Sequence, residues 1–363
     1  MSPSPEKSRP PGARLVVLLV LAFLLIGLEA GASELRLLAR TSYLSPELLH
    51  KFHRETGITV LTDEAPDHAA LLGRLTGFHS GIDIAFPPDH HVAAMIERGQ
   101  LERIWADRLP GFWNIEDPWR SRSFDPRNEY TIPHQWGTTA FAVDTSIHKG
   151  DIDSLKLLFE PPAEVMGRIA LLDDSDMVDL ALLYLGEPRC TLDRSKLDKA
   201  ARLLSPVVAR SRMVSPGLAV KALASADVAL AVVWNGDAMR AREVRPSLAY
   251  AYPREGNLVW TDVIALPRNP PNRANALKFL TFMLKPENAA LQSNFNGYAN
   301  MIRGSEAHMR PQVLSAPELV APWPAKVGFF VSCGGETQRV HEELWFQIKA
   351  RSADIPEHWK DIK

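Results

Sequence analysis

Short apolar runs alternate along the chain with stretches in which apolar residues recur every three or four positions, the pattern of strand and helix in turn. Residues 35–39 read as a first strand that ends in a polar loop at 40–43. A helix follows at once. Ser45 can cap it, Pro46 suits its first turn, Glu47 favours its dipole, and Leu48, Leu49 and Phe52 share one face until Gly57 stops it. Residues 58–61 form the next predicted strand. The unit repeats with a strand at 82–86, the breaker Pro87-Pro88, a cap at Asp89 and a helix through Ala93, Met95 and Ile96 to Gly99.

This βαβ order predicts a parallel sheet with helices on both faces. In such sheets ligands sit beyond the carboxyl ends of the strands, so the loops at 40–43 and 87–91 are the positions to watch. An irregular stretch at 109–133 leads through Trp136-Gly137-Thr138-Thr139 into a strand at 140–143, which reads as a crossing between two lobes. A second α/β region follows. It has a strand at 169–172, the acidic loop Asp173-Asp174-Ser175-Asp176, a helix to Leu185, a helix at 196–208, and a strand at 228–233 that runs into Trp234-Asn235-Gly236-Asp237 and a helix from Ala238. A strand at 258–266 and an amphipathic helix carrying Leu277, Phe279, Leu280, Phe282 and Met283 could return the chain to the first lobe. There is no internal repeat.

Length makes two domains the expectation for 363 residues. The first 32 residues change the compartment: Lys7, Arg9 and Arg14 precede an apolar run from Leu15 to Leu28, and Ala30, Gly31 and Ala32 offer a peptidase site. That is the three-part form of a secretory leader, with an uncleaved anchor as the alternative. No Cys lies near the cleavage site, which argues against a lipoprotein. A formal net charge of −2 gives no basic footprint for nucleic acid or a membrane surface, so the expected partner is small or protein. Two cysteines, Cys190 and Cys333, are too few for a disulfide framework and lack metal-type spacing; in an exported chain they either pair or stay free.

Trp260 and Asp262 are two apart in a predicted strand, so their side chains leave the same face of the sheet. A ring face beside a carboxylate suits an ammonium group, because both attract a cation while the ring also covers methylenes. A half-buried strand with an edge Asp would give the same pair. Trp234 and Asp237 flank a glycine turn, Asp173 and Asp176 lie in a strand-to-helix loop, and Tyr43 follows the first strand. Each has a plainer reading, as a helix cap or as lobe core. What favours a site is that all fall at strand ends.

The segments Tyr130 to Thr139, Val233-Trp234-Asn235-Gly236-Asp237, Tyr252-Pro253-Arg254-Glu255-Gly256 running to Trp260-Thr261-Asp262, and Asn296-Gly297-Tyr298 resemble the periplasmic spermidine/putrescine-binding proteins of ABC importers. The resemblance implies an α/β, two-lobed periplasmic binding protein fold of type II, with mixed but mostly parallel sheets and a hinge. It places lobe 1 at 33–139 and 263–308 and lobe 2 at 140–262 and 309–363, after a signal peptide at 1–32. It implies a periplasmic, monomeric receptor without a cofactor, which captures a putrescine- or spermidine-like amine and delivers it to an ABC permease. Position by position, Tyr43, Trp234, Trp260 and Tyr298 match aromatic positions of the cleft, and Asp173, Asp176, Asp237 and Asp262 match acidic ones.

Three positions depart from the family pattern: Arg40 stands where an aromatic residue is usual, and Pro88 and His90 replace a Ser and an aromatic after the third strand. A fixed cation in a polycation site is repulsive by roughly 1–4 kcal/mol at about 4 Å. Arg40 either pairs with a cleft carboxylate, leaving a site for a shorter or singly charged amine, or binds the carboxylate of a zwitterionic ligand such as an amino acid, an acylated polyamine being a further candidate. The chain has no Gly-flanked nucleophilic Ser, no phosphate loop and no Cys with a persuasive His partner, so an enzyme is not expected. His50 and His53, a turn apart on a helix with an opposite apolar face, read as solvated rather than metal-binding. A ligand sensor docking on a receptor shares the same hinge mechanics as a transport receptor and stays open as an alternative.

Overall fold

The computed structural model describes residues 33–76, 80–214, 216–320, 327–328 and 333–351. The signal peptide expected at 1–32, and residues 352–363 of the expected second lobe, lie outside the described residues. Among the described residues no helix is long and apolar enough to cross a membrane.

The first half keeps the predicted order of strand and helix, with a helix at His68–Arg74 added and the strand expected at 82–86 shortened to Ile84–Ala85. β1 (Glu34–Arg40) turns into helix Pro46–Thr56, whose first turn is capped by the Ser45 hydroxyl accepting from the Leu48 amide at 3.3 Å. Gly57, at φ 71°, ends that helix in the left-handed region that costs glycine little. β2 (Thr59–Ala65) and β3 (Ile84–Ala85) then flank β1 in parallel. The helix is held to the sheet by Phe52, whose ring lies 5.0 Å from Phe279 and 5.1 Å from Phe282 on helix Arg273–Met283. Burying such a ring contributes about 1.5–3 kcal/mol, and the contact packs the late helix against the first one.

β4 (Thr131–Asp144) is far longer than the predicted strand at 140–143. The difference lies in Pro133 and Gly137, which read as breakers. The register shifts between Pro133 and Gln135, which accommodates the missing proline N–H, and Gly137 has its own reason given below. The second half carries β5 (Ile169–Leu172), β6 (Arg212–Val214) and β7 (Leu230–Trp234), all parallel to one another, with β8 (Leu248–Tyr250) beside β4.

β9 (Asn257–Ala265) runs antiparallel to β4 and, at its end, to β3. The strand order is β2-β1-β3-β9-β4-β7-β5-β6. β4 pairs with β9 through Thr131 to Thr139 and with β7 from Thr139 to Val143, so it passes from one half to the other at Thr138–Thr139. The helix after β7 starts at Asn235 rather than Ala238.

Cys190 and Cys333 are paired in a disulfide. The bridge fastens the start of helix Gly335–Arg351 to the loop beyond helix Asp176–Tyr184. Nothing in the periodicity had singled out that terminal helix. Its side chains reach the acidic loop: the Trp345 indole donates to Asp173 Oδ1 at 3.0 Å, Lys349 pairs with the same carboxylate, and Gln338 donates to the Ser175 hydroxyl at 3.0 Å.

Candidate functional site

Every loop flagged at a strand end meets at the place where β4 changes partner. Arg40 closes β1, Asp174 and Asp176 follow β5, Trp234 closes β7, and Trp260 and Asp262 stand on β9 opposite Gly137 and Gln135. Gly137 is required by its neighbours: a Cβ there would run into the Trp260 indole and the Asn235 amide oxygen, so only glycine lets the indole lie across β4. Gly137→Ala is expected to cost about 1–3 kcal/mol through displaced packing and to weaken ligand binding together with the melting temperature; calorimetric titration beside a thermal melt reads both. An alanine variant with wild-type affinity would mean Trp260 is not held for the ligand.

Tyr43 is 4% exposed and its position is fixed through its backbone. The Gln292 amide donates to Tyr43 O at 2.7 Å, and the Ser45 amide donates back to Gln292 Oε1 at 3.1 Å. The ring faces Phe86 at 5.7 Å and His134 at 6.0 Å. Trp234 and Trp260 stand edge to face at 5.9 Å, and Tyr298 stands edge to face with Trp260 at 5.1 Å. Four aromatic side chains expected from the sequence therefore line one cleft.

Arg40 occupies the middle of that aromatic box. Its guanidinium carbon lies 4.3 Å from the Trp234 ring centroid and 4.8 Å from that of Tyr43, within the range of a cation–π contact. Its Nη2 donates to Asp262 Oδ2 at 3.0 Å, with both side chains buried. Burial alone would lower the guanidinium pKa; Asp262, and behind it Tyr298, Tyr43 and Asp237, more than offset this and hold it above its ordinary value. The Tyr43 phenol is likewise pushed well up, first by burial and then by the Asp262 charge.

The other acidic residues sort unequally. Asp237 accepts from the Tyr298 hydroxyl at 2.9 Å and pairs with Arg240. Asp173 is the correction: its carboxylate is held by Trp345 and Lys349, and it does not line the cavity. Asp174 takes that place. It lies 3.7 Å from His68 Nδ1, accepts from the Asp176 amide at 3.0 Å, and is held down at about 2, burial raising its pKa but His68 and the Asp176 amide lowering it more.

Asp176 accepts from the Thr139 hydroxyl at 2.6 Å and has no cation within ion-pair distance among the described residues. Burial, and then the Asp174 charge, push it up to about 7. His90 lies 3.6 Å from Asp89; burial lowers its pKa, but Asp89, Asp174 and Asp176 raise it further than burial takes it down.

A narrow inner cavity of about 20 Å³ is bounded by Arg40, His68, Pro88, His90, Asp174, Asp176, Trp234, Trp260 and Asp262. That is the room of about one water, as expected of closed lobes. On the other side of Arg40 lies a groove of about 480 Å³ that includes Tyr43, Asp237, Arg240, Asn296 and Tyr298. Arg40 thus divides the cleft along its length.

Two buried polar atoms in the inner part, Trp260 Nε1 and His68 Nε2, have no hydrogen-bond partner among the described residues. Sequence reasoning had missed His68, which starts a helix just beyond β2; the rule that flagged the other strand ends could have found it. Among the described residues no group of three His, Cys, Asp or Glu is placed to hold a metal ion.

Residues 47–321 match the family model of bacterial extracellular solute-binding proteins. The spermidine/putrescine-binding periplasmic protein of Salmonella typhimurium is 28% identical over 314 residues, covering 85% of this chain and 90% of that one. The putrescine/agmatine-binding protein of Pseudomonas aeruginosa is 29% identical over 335 residues, again covering 85% and 90%. The crystal structure of the spermidine/putrescine ABC transporter substrate-binding protein of Streptococcus pneumoniae superposes with a TM-score of 0.74 at 23% identity, over 88% of this chain and 99% of that chain. That likeness gives the fold: two α/β lobes of the type II periplasmic binding arrangement.

Proposed function

Since the chain belongs to the family of bacterial extracellular solute-binding proteins, we propose that it captures a linear amine of the putrescine and spermidine class between its lobes and hands it to the permease of an ABC importer. One observation carries this reading: Tyr43, Trp234, Trp260 and Tyr298 form an aromatic cleft edged by the carboxylates of Asp176, Asp237 and Asp262. Indole and phenol faces cover methylenes, and carboxylates take ammonium groups. The names of the two curated relatives point to the same ligand class.

The working cycle follows from the topology. The lobe bounds expected from the sequence put the hinge where β4 leaves β9 for β7, at Thr138–Thr139. A cavity of about 20 Å³ admits no diamine, so the lobes part to load and close to bury the ligand. The work is done outside the cytoplasm, where the family acts. The chemistry asked of the residues is recognition: Asp176 takes an ammonium end, Trp234 and Trp260 cover the alkyl chain, and His68 and His90 close the acidic end.

Calorimetric titration of the purified protein with putrescine, spermidine, cadaverine and agmatine tests the reading. Micromolar affinity, about −8 kcal/mol, is within reach of a few such buried contacts; silence across amines, acylated amines and amino acids alike would place the ligand in another class. Binding also has a predicted pH dependence. An ammonium needs Asp176 ionised, and that carboxyl holds its proton up to about 7. Affinity is therefore expected to weaken as pH falls below 7, by up to roughly tenfold per unit. A flat profile between about pH 8 and 5.5 would place the ammonium elsewhere.

A further inference from the structure

Each carboxylate at the cleft except one faces a basic side chain within ion-pair distance. Asp262 has Arg40, and Asp237 has Arg240. Asp174 faces His68 at 3.7 Å, and Asp89 faces His90 at 3.6 Å. Asp176 alone is without a cation within ion-pair distance among the described residues, and it shares its end of the cavity with Asp174. The inner cavity thus has a place for one ammonium.

The opposite end has a different character. Arg40 borders both the inner cavity and the outer groove, and among the described residues its one hydrogen bond is from Nη2 to Asp262. Guanidinium carries five N–H donors in a planar fork, so its Nε and Nη1 edge is left for an acceptor. The Trp260 indole N–H, also bordering the cavity, is a buried donor without a partner among the described residues. Donors at that end repel an ammonium and favour an oxygen acceptor, because a buried donor left unmade is costly.

We propose that the ligand is a linear molecule with a single ammonium, which lies at the Asp174–Asp176 end, and an acceptor oxygen, which lies at the Arg40–Trp260 end. This deepens the amine reading and rests on it. Free diamines and triamines carry a second cation that would have to lie against Arg40 or replace it at Asp262. The acceptor is either an amide, as in an N-acylated diamine, or a carboxylate, as in an ω-amino acid. Both present the same oxygen to Arg40, and the charge balance of the Arg40–Asp262 pair tolerates either.

The test is a calorimetric ranking of N-acetylputrescine, 5-aminopentanoate, putrescine and spermidine against the purified protein, repeated with Arg40→Leu. At least one acceptor-bearing ligand is expected to bind tenfold or more tighter than putrescine, and which of the two leads identifies the acceptor. In Arg40→Leu the order is expected to reverse, since Asp262 is then free for a second ammonium. Putrescine or spermidine binding tightest to the unaltered protein would overturn the inference while leaving the amine reading intact. No binding by any of the four would remove both. The ranking on the unaltered protein decides the matter without the variant, should Arg40→Leu fold poorly.

Discussion

Asp176→Asn is expected to lose amine affinity ten- to a hundredfold while the ligand-free protein becomes more stable at neutral and alkaline pH. The loss follows from replacing a charge-assisted contact with a neutral one, about 1.5–3 kcal/mol. The gain follows from linkage. Asp176 holds its proton to about 7 in the fold, whereas an unfolded Asp releases it near 3.9. The folded state therefore binds the proton more tightly, and the stability this contributes is complete below about pH 4 and fades as pH rises through 7. Above pH 7 the native state carries an ionised, partly buried carboxylate beside Asp174, at a cost of roughly 2–4 kcal/mol. Asparagine removes that cost and its amide oxygen can still accept from Thr139. Thermal melts at about pH 8 and pH 4.5 check the sign: the variant should melt higher at the first, with most of that difference gone at the second. Unchanged binding with raised stability would show that the carboxylate is strained for another purpose.

Such opposition between stability and function is the physical mark of a site, and it explains what could and could not be read from the chain. Strand ends were legible because βαβ order fixes where they gather, so Arg40, Tyr43 and Trp234 come together there, while Trp260 and Asp262 reach the same place from the middle of antiparallel β9. Trp260 and Asp262 share a face because strand side chains alternate. The acidic loop was not legible in the same way. Loops have no periodicity, and whether Asp173 or Asp174 turns to the cavity depends on Trp345 and Lys349, a turn apart on a helix some 170 residues further along. The length of β4 was hidden by Pro133 and Gly137, which local propensity counts as breakers. Tertiary contacts supply their reasons: a register shift for one, an indole lying across the strand for the other. The terminal helix was missed because most of its surface is polar and a distant disulfide anchors it.

Asp262→Asn, at the carboxylate that the sequence pairs with Trp260 for an ammonium group, is expected to act on stability first. The Asp262 carboxylate is 2% exposed and its partner is Arg40 at 3.0 Å, so the amide would leave a buried guanidinium without its counter-charge. Breaking a buried pair from one side costs about 3–5 kcal/mol, because the remaining charge keeps its desolvation penalty. The cation–π contacts of Arg40 with Tyr43 and Trp234 return at most about 2 kcal/mol of that. Removing both partners, as Arg40→Met with Asp262→Leu, should recover most of the loss, since a packed apolar pair of similar volume is often as stable as a buried ion pair. The measurement is a double-mutant cycle by denaturant unfolding. A coupling energy of about 2–4 kcal/mol is expected, and simple additivity would mean that the two charges are matched by other groups. The same cycle separates structure from recognition: if Arg40 and Asp262 serve chiefly to shape the cleft, the apolar double variant should bind the amine end of a ligand as before, with the preference for an acceptor oxygen at the other end gone.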